Sequence, residues 1–260
     1  MIKYKVILNL RNNFKSGAPL IVYTLLQVFS GIFVSAFILF SSIKFTLLEF
    51  NKLTISLSII AIITSLFGGA FMATIKEVGI LMKGDNRKSI APVYYKRLVS
   101  YLIFAISISG SLLLLSKVGF RSTNVLSNSN YYQIFIICIA SILIGLNSSL
   151  VQASTKWVFL GVIGILMSFP RLAILFVFPP KQINTDYVIN ALTVISIVVF
   201  IISYLIVVRV IKFNSQSFHS QALNKDVPKE KETNNYKGSI ISNIMFMLLI
   251  NFDIILLFGV

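Results

Sequence analysis

Apolar positions are gathered into seven runs of roughly twenty residues each, at 18–40, 53–74, 98–115, 131–152, 157–178, 187–208 and 239–260, with polar or basic connections between them. A bilayer's hydrocarbon core is about 30 Å thick, and an α-helix rising about 1.5 Å per residue crosses it in about 20 residues. The pattern therefore predicts an all-α polytopic membrane protein of about seven transmembrane helices. The first run follows the basic stretch Lys3, Lys5, Arg11 and Lys15, which superficially resembles a secretory signal. It is too long for a signal's apolar region of about 7–15 residues and has no Ala-x-Ala-like cleavage site, so it reads as a retained helix.

Composition agrees with this pattern. The 260 residues are 57% hydrophobic and only 12% charged, with a mean hydropathy of +0.89. Soluble domains carry about a quarter charged residues, so this chain lacks the polar surface of a water-soluble enzyme. Its 23 Lys+Arg against 8 Asp+Glu give +15, a surplus that in a soluble protein suggests nucleic acid. In a chain this apolar it reads as topology instead. Seventeen basic residues fall on the N-terminal segment and connections 75–97, 153–156 and 209–238; five fall on the opposite set, and Arg171 lies inside a run. The positive-inside rule places the N-terminus in the cytoplasm, and with seven spans the C-terminus falls outside. The expected location is the cell (cytoplasmic) membrane, multi-pass, with the lipid bilayer as partner and no nucleic acid.

The organisation expected along the chain is a six-helix membrane lobe over 1–213, a polar cytoplasmic linker over 214–238, and a seventh transmembrane helix over 239–260. The linker, NSQSFHSQALNKDVPKEKETNNYKG, contains Pro228 and a Lys/Glu alternation that will not bury a core. Within the spans, small residues recur at spacing four: Gly31 and Ser35; Ser141, Gly145 and Ser149; Gly164 and Ser168. Such faces let membrane helices approach closely, although Gly and Ser are also simply common there. Pro170 is a candidate kink in the fifth span, and Pro179 and Pro180 end that run.

Little in the sequence suggests catalysis. Cys138 is the only cysteine and His219, in the polar linker, the only histidine, so no metal site or Ser-His-Asp triad can be assembled around them. The eight carboxylates are scattered with no two in one membrane-facing motif, so no enzyme activity and no cofactor are expected. Lys156 and Trp157, in a short turn, read as an interfacial snorkelling cation and aromatic anchor.

Ionisable groups inside the spans carry more information, because a charge near the bilayer centre costs about 2.5–3.5 kcal/mol on insertion scales. Arg171 follows Pro170 in SFPRLAILF, and Asp253 interrupts MFMLLINFDIILLFGV. Arg171 offers a fixed donor fork suited to phosphate or carboxylate, and the alternative is a structural partner for a helix carbonyl or acid. Asp253 is either an inter-helix contact or a ligand contact. Gln152, Asn147 and Gln27 are polar candidates for the same interior.

Four segments together resemble the first half of polysaccharide and lipid-linked oligosaccharide flippases of the multidrug/oligosaccharidyl-lipid/polysaccharide (MOP) exporter superfamily. LLEFNKLTISLSII (47–60) resembles the outer loop entering the second span. LVQASTKWVFLGVIGI (150–165) resembles the turn between helices four and five, with Gln152, Lys156 and Trp157. Arg171 matches an arginine of the fifth helix, and SIISNIMFMLLINFDIILLFGV (239–260) is similar to the seventh, with Asn251 and Asp253. Asn51 and Ala153 stand where the family usually has glycine.

The resemblance implies one six-helix MOP-like lobe plus the first helix of a second lobe. Two such lobes face each other across a central cavity in these transporters, so the chain is expected to be truncated, or to pair with a chain supplying the missing second lobe. The implied function is translocation of a lipid-linked (polyprenyl-pyrophosphate) oligosaccharide for cell-surface polysaccharide assembly. In it Arg171 and Gln152 bind substrate, and Asp253 and Asn251 serve transport or helix–helix contact. An alternative reading is a permease subunit of an ATP-driven exporter, with 75–97 as the segment meeting the ATPase.

Overall fold

The computed structural model describes residues 2–83, 89–119, 128–177 and 184–216. These form seven helices: α1 (Ile2–Lys44), α2 (Leu47–Ser65), α3 (Gly68–Lys83), α4 (Ile90–Gly119), α5 (Asn128–Ala153), α6 (Trp157–Val177) and α7 (Thr185–Gln216). Among the described residues five helices are long and apolar enough to cross a membrane: Ala18–Lys44 of α1, α2, Asn130–Ala153 of α5, α6, and Thr185–Lys212 of α7. The chain has the build of a polytopic membrane protein.

The count among the described residues is lower than the seven expected, because α4, which holds the expected third span, is not among the five and the expected seventh is not among the described residues. The expected second span, 53–74, is two helices. The ladder breaks at Leu66 and Phe67, where the Phe67 amide donates to the Thr64 carbonyl in a tighter turn before α3 begins. Hydropathy is blind to this break because Leu, Phe and Gly keep the run apolar. The expected third span lies within α4, and the expected seventh, 239–260, lies outside the described residues, as does the linker from 217 onward. The basic connection 75–97 is mostly helix, since α3 reaches Lys83 and α4 starts at Ile90. In the same way the basic N-terminal stretch is part of α1, whose 43 residues extend roughly 65 Å, about twice the hydrocarbon thickness.

The helices start and stop for local reasons. Thr46 caps α2 by accepting from the Glu49 amide at 3.4 Å, the side-chain half of a Thr-x-x-Glu start. Asn184 caps α7, its Oδ1 accepting from the Tyr187 amide at 2.8 Å. At the end of α5 the Lys156 amide donates to Val151 O (3.2 Å) and the Thr155 amide to Gln152 O (2.9 Å), the paired bonds of a Schellman turn. The residue in the left-handed position of that turn is Thr155, with φ of 55°. A β-branched side chain is strained there, where glycine is usual. Thr155→Gly is therefore expected to stabilise the protein by about 1 kcal/mol, read as a higher unfolding midpoint in detergent, while the α5–α6 turn keeps its geometry.

α5 is the central helix, packed against α2, α3, α4, α6 and α7, and the second half of α1, from Tyr23 to Lys44, pairs with α6. Ile134, Cys138, Ile142, Leu146, Leu150 and Val151 of α5 are buried, whereas α1 exposes Leu25, Ile32 and Leu39. Over Ala18–Lys44 α1 is largely exposed, whereas α5 is largely covered by other helices.

Two of the expected small-residue faces lie at close contacts. The Phe71 ring of α3 sits where a side chain on Gly145 would be, and the Gln27 amide of α1 packs on Gly164, 3.0 Å from the position of an added Cβ. Gly31 has nothing within 4 Å, so its spacing with Ser35 marks no helix contact there.

Candidate functional site

Arg171 lies two-thirds of the way along α6, which continues through Pro170 without interruption. It falls three residues after Ser168 and four before Leu175, both buried, so it shares the inward face of the helix. The neighbouring turn of this face is polar. Ser30 of α1 donates to the Gly164 carbonyl at 3.2 Å, Ser168 donates to the same carbonyl at 2.9 Å, and Gln27 packs beside them. α1 and α6 thus enclose a short polar strip leading to Arg171 in an otherwise apolar pair.

The Arg171 Nε is buried and has no hydrogen-bond partner among the described residues. The three described carboxylates are engaged elsewhere. Glu49 pairs with Lys52 at 3.2 Å and accepts from the Thr185 amide at 2.9 Å. Glu77 pairs with Arg97 at 2.7 Å across α3 and α4, and Asp186 accepts from Asn130 at 2.8 Å. An N–H held out of water without an acceptor is costly, and far more so when it belongs to a cation. The chemistry of this position calls for an anion.

Gln152 occupies a different place. It is in the last turn of α5, with its carbonyl inside the Schellman turn, whereas Arg171 is 14 residues beyond the start of α6. At about 1.5 Å per residue the two are separated by roughly 21 Å along the helix axis. The structure does not bring Gln152 and Arg171 into one site. Asp253 and Asn251 lie outside the described residues.

Contacts that the sequence patterns did not reveal hold the frame around this strip. Glu49, in the first turn of α2, also caps α7: besides the amide contact, the Thr185 hydroxyl donates to the Glu49 carbonyl at 2.7 Å. One carboxylate thereby serves two helix N-termini, where the positive ends of both dipoles favour it. At the end of α1, Lys44 donates to the Leu175 carbonyl of α6 and lies over the Phe176 ring, 4.8 Å from its centroid. This places a cation at a helix C-terminus, the favourable end for it. On the other side of α5, buried Tyr94 donates to Asn147 Oδ1 at 2.7 Å, and the Asn147 amide donates to Ser203 Oγ at 2.8 Å. This chain ties α4, α5 and α7 together. Tyr94→Phe should cost about 0.6–1.7 kcal/mol, the range for inter-helix hydrogen bonds in membranes, seen as a lower melting midpoint in detergent.

Comparison with protein-family models, curated proteins and solved structures gives no match. The described residues define by themselves a set of helices, five long and apolar enough to cross a membrane, with the buried Arg171 Nε on the inward face of α6 lacking an acceptor among them.

Proposed function

We propose that the chain is a membrane transporter of the polysaccharide-flippase type, which moves a lipid-linked (polyprenyl-pyrophosphate) oligosaccharide across the cytoplasmic membrane for cell-surface polysaccharide assembly. Five helices among the described residues are long and apolar enough to cross a membrane, and the resemblance asks one further pass of the lobe, for which the apolar run 98–115 of α4 is the candidate. The observation that carries the reading is Arg171, whose buried Nε lacks an acceptor among the described residues, where Glu49, Glu77 and Asp186 are all engaged. A pyrophosphate supplies the missing acceptors, and its passage through hydrocarbon needs a fixed cation along the way. The guanidinium fork matches two phosphate oxygens at once. In this reading the lipid tail stays in the bilayer, the headgroup follows the polar strip, and Asn251 and Asp253 contribute transport or helix contacts from 239–260.

The direct test is binding of a radiolabelled polyprenyl pyrophosphate to the purified chain in detergent, alongside the matching polyprenol. Saturable binding of the pyrophosphate, displaced by unlabelled pyrophosphate lipid and absent for the alcohol, supports the reading. Equal binding of the two lipids overturns it.

A further inference from the structure

A second place on the surface combines charge with an apolar channel. α6 leads away from Lys156 and α7 leads toward Arg209, so these antiparallel helices put both cations at the same end of the bundle. Between them runs a groove of about 550 Å³, lined by Lys156 and Arg209 at that end and by Phe159, Ile202, Leu205 and Ile206 along its walls. Phe159 is one turn into α6 from Lys156, and Leu205 and Ile202 lie one and two turns before Arg209 on α7. The groove thus changes from cationic to fully apolar along the helix axes. Charge counting assigns this end to the cytoplasmic face, where anionic lipid is concentrated.

The geometry points to a binding site for one anionic glycerophospholipid, its phosphate between Lys156 and Arg209 and one acyl chain along the groove between α6 and α7. Two cations at the headgroup level select net negative charge, because a zwitterionic headgroup brings its own ammonium toward them. Apolar walls select a tailed molecule over free phosphate. Arg171 is 15 residues from Lys156, roughly 22 Å along α6, so this site is separate from the proposed transport site and does not depend on that reading.

The test uses the full chain in neutral detergent, with native mass spectrometry after addition of phosphatidylglycerol or phosphatidylcholine. The wild type is expected to retain one phosphatidylglycerol in preference to phosphatidylcholine. K156Q/R209Q should bind phosphatidylglycerol about 30-fold more weakly, the loss expected for two interfacial cations. Both residues are exposed, and the melting midpoint of the double variant, measured alongside, tells a loss of lipid binding from a loss of fold. L205W, which fills the groove, should abolish cross-linking to a phosphatidylglycerol carrying a photoreactive acyl chain. Equal retention of the two lipids, unchanged binding by K156Q/R209Q, or full displacement by glycerol phosphate would each overturn the proposal. So would a Leu205→Cys variant shielded from maleimide in lipid-free detergent, because the chain's own 217–260 segment would then fill the groove.

Discussion

Replacing Arg171 with alanine is expected to weaken binding of a polyprenyl pyrophosphate about a hundredfold, the loss of two charge-assisted hydrogen bonds, measured with the labelled lipid in detergent. Lysine at the same position keeps the charge but not the planar fork, and should fall between the two. The sign of the stability change identifies the role. A cation held on the inward face with no acceptor for its Nε among the described residues costs free energy in the folded protein, so Arg171→Leu should stabilise it, by about 3 kcal/mol on membrane insertion scales, and raise the unfolding midpoint. Weaker binding with higher stability is the pattern of a site kept for function at the expense of the fold. Were the guanidinium a structural partner for another group of the chain, Arg171→Leu would lower the midpoint, and together with unchanged lipid binding that outcome would remove Arg171 from the transport reading.

Gly161→Leu should have the largest effect on assembly. An added Cβ at Gly161 would lie 2.9 Å from the Leu26 Cβ and 2.6 Å from its Cδ1. The tip of Leu26 can rotate away, but its Cβ moves only with the α1 backbone. Among the described residues α1 is held chiefly by α6, with a slight contact to α2. Four extra carbons at this crossing should therefore separate the pair, at about 3 kcal/mol, the upper end for overpacking a tight contact. A disulfide cross-link between cysteines engineered into α1 and α6 reports the separation. Gly31→Leu is the control, since Gly31 has nothing within 4 Å and the added side chain enters open space. A cross-link retained in Gly161→Leu, or lost equally in both, would contradict the assigned contact.

Gly31 and Gly161 also mark the limit of what the sequence discloses. Helical spacing identifies residues on one face, yet it does not say which face meets a neighbour. Gly31 with Ser35 has the spacing and no contact; Gly161 makes one of the closest contacts and stands outside the expected Gly164 and Ser168 pair. The passage of helices through the membrane was legible because hydropathy is an additive property of a run. The break at Leu66 and Phe67 was not, because it replaces a backbone hydrogen bond without changing polarity. Arg171 was visible as a charge in an apolar stretch, and Gln152 was grouped with it as a polar residue of the interior and through the flippase resemblance. The α5–α6 turn sets them far apart. That turn carries no glycine, so the usual marker of a Schellman end was missing, and Thr155 occupies its left-handed position at a cost. The Glu49 contact with Thr185 joins residues 136 positions apart, a distance over which no local pattern reports.

The pairing of α1 with α6 sets a schedule for how the protein is made. Ser30 finds Gly164 134 residues later, and Lys44 finds Leu175 131 residues later. At roughly 5–20 residues per second the ribosome delivers α6 on the order of ten seconds after α1. Through that interval α1 has, among the described residues, little beyond its slight contact with α2 to hold it. It can wait because Ala18–Lys44 is long and apolar enough to rest in the bilayer as an independent helix, and Lys44 stays near the bilayer surface until the Leu175 carbonyl arrives.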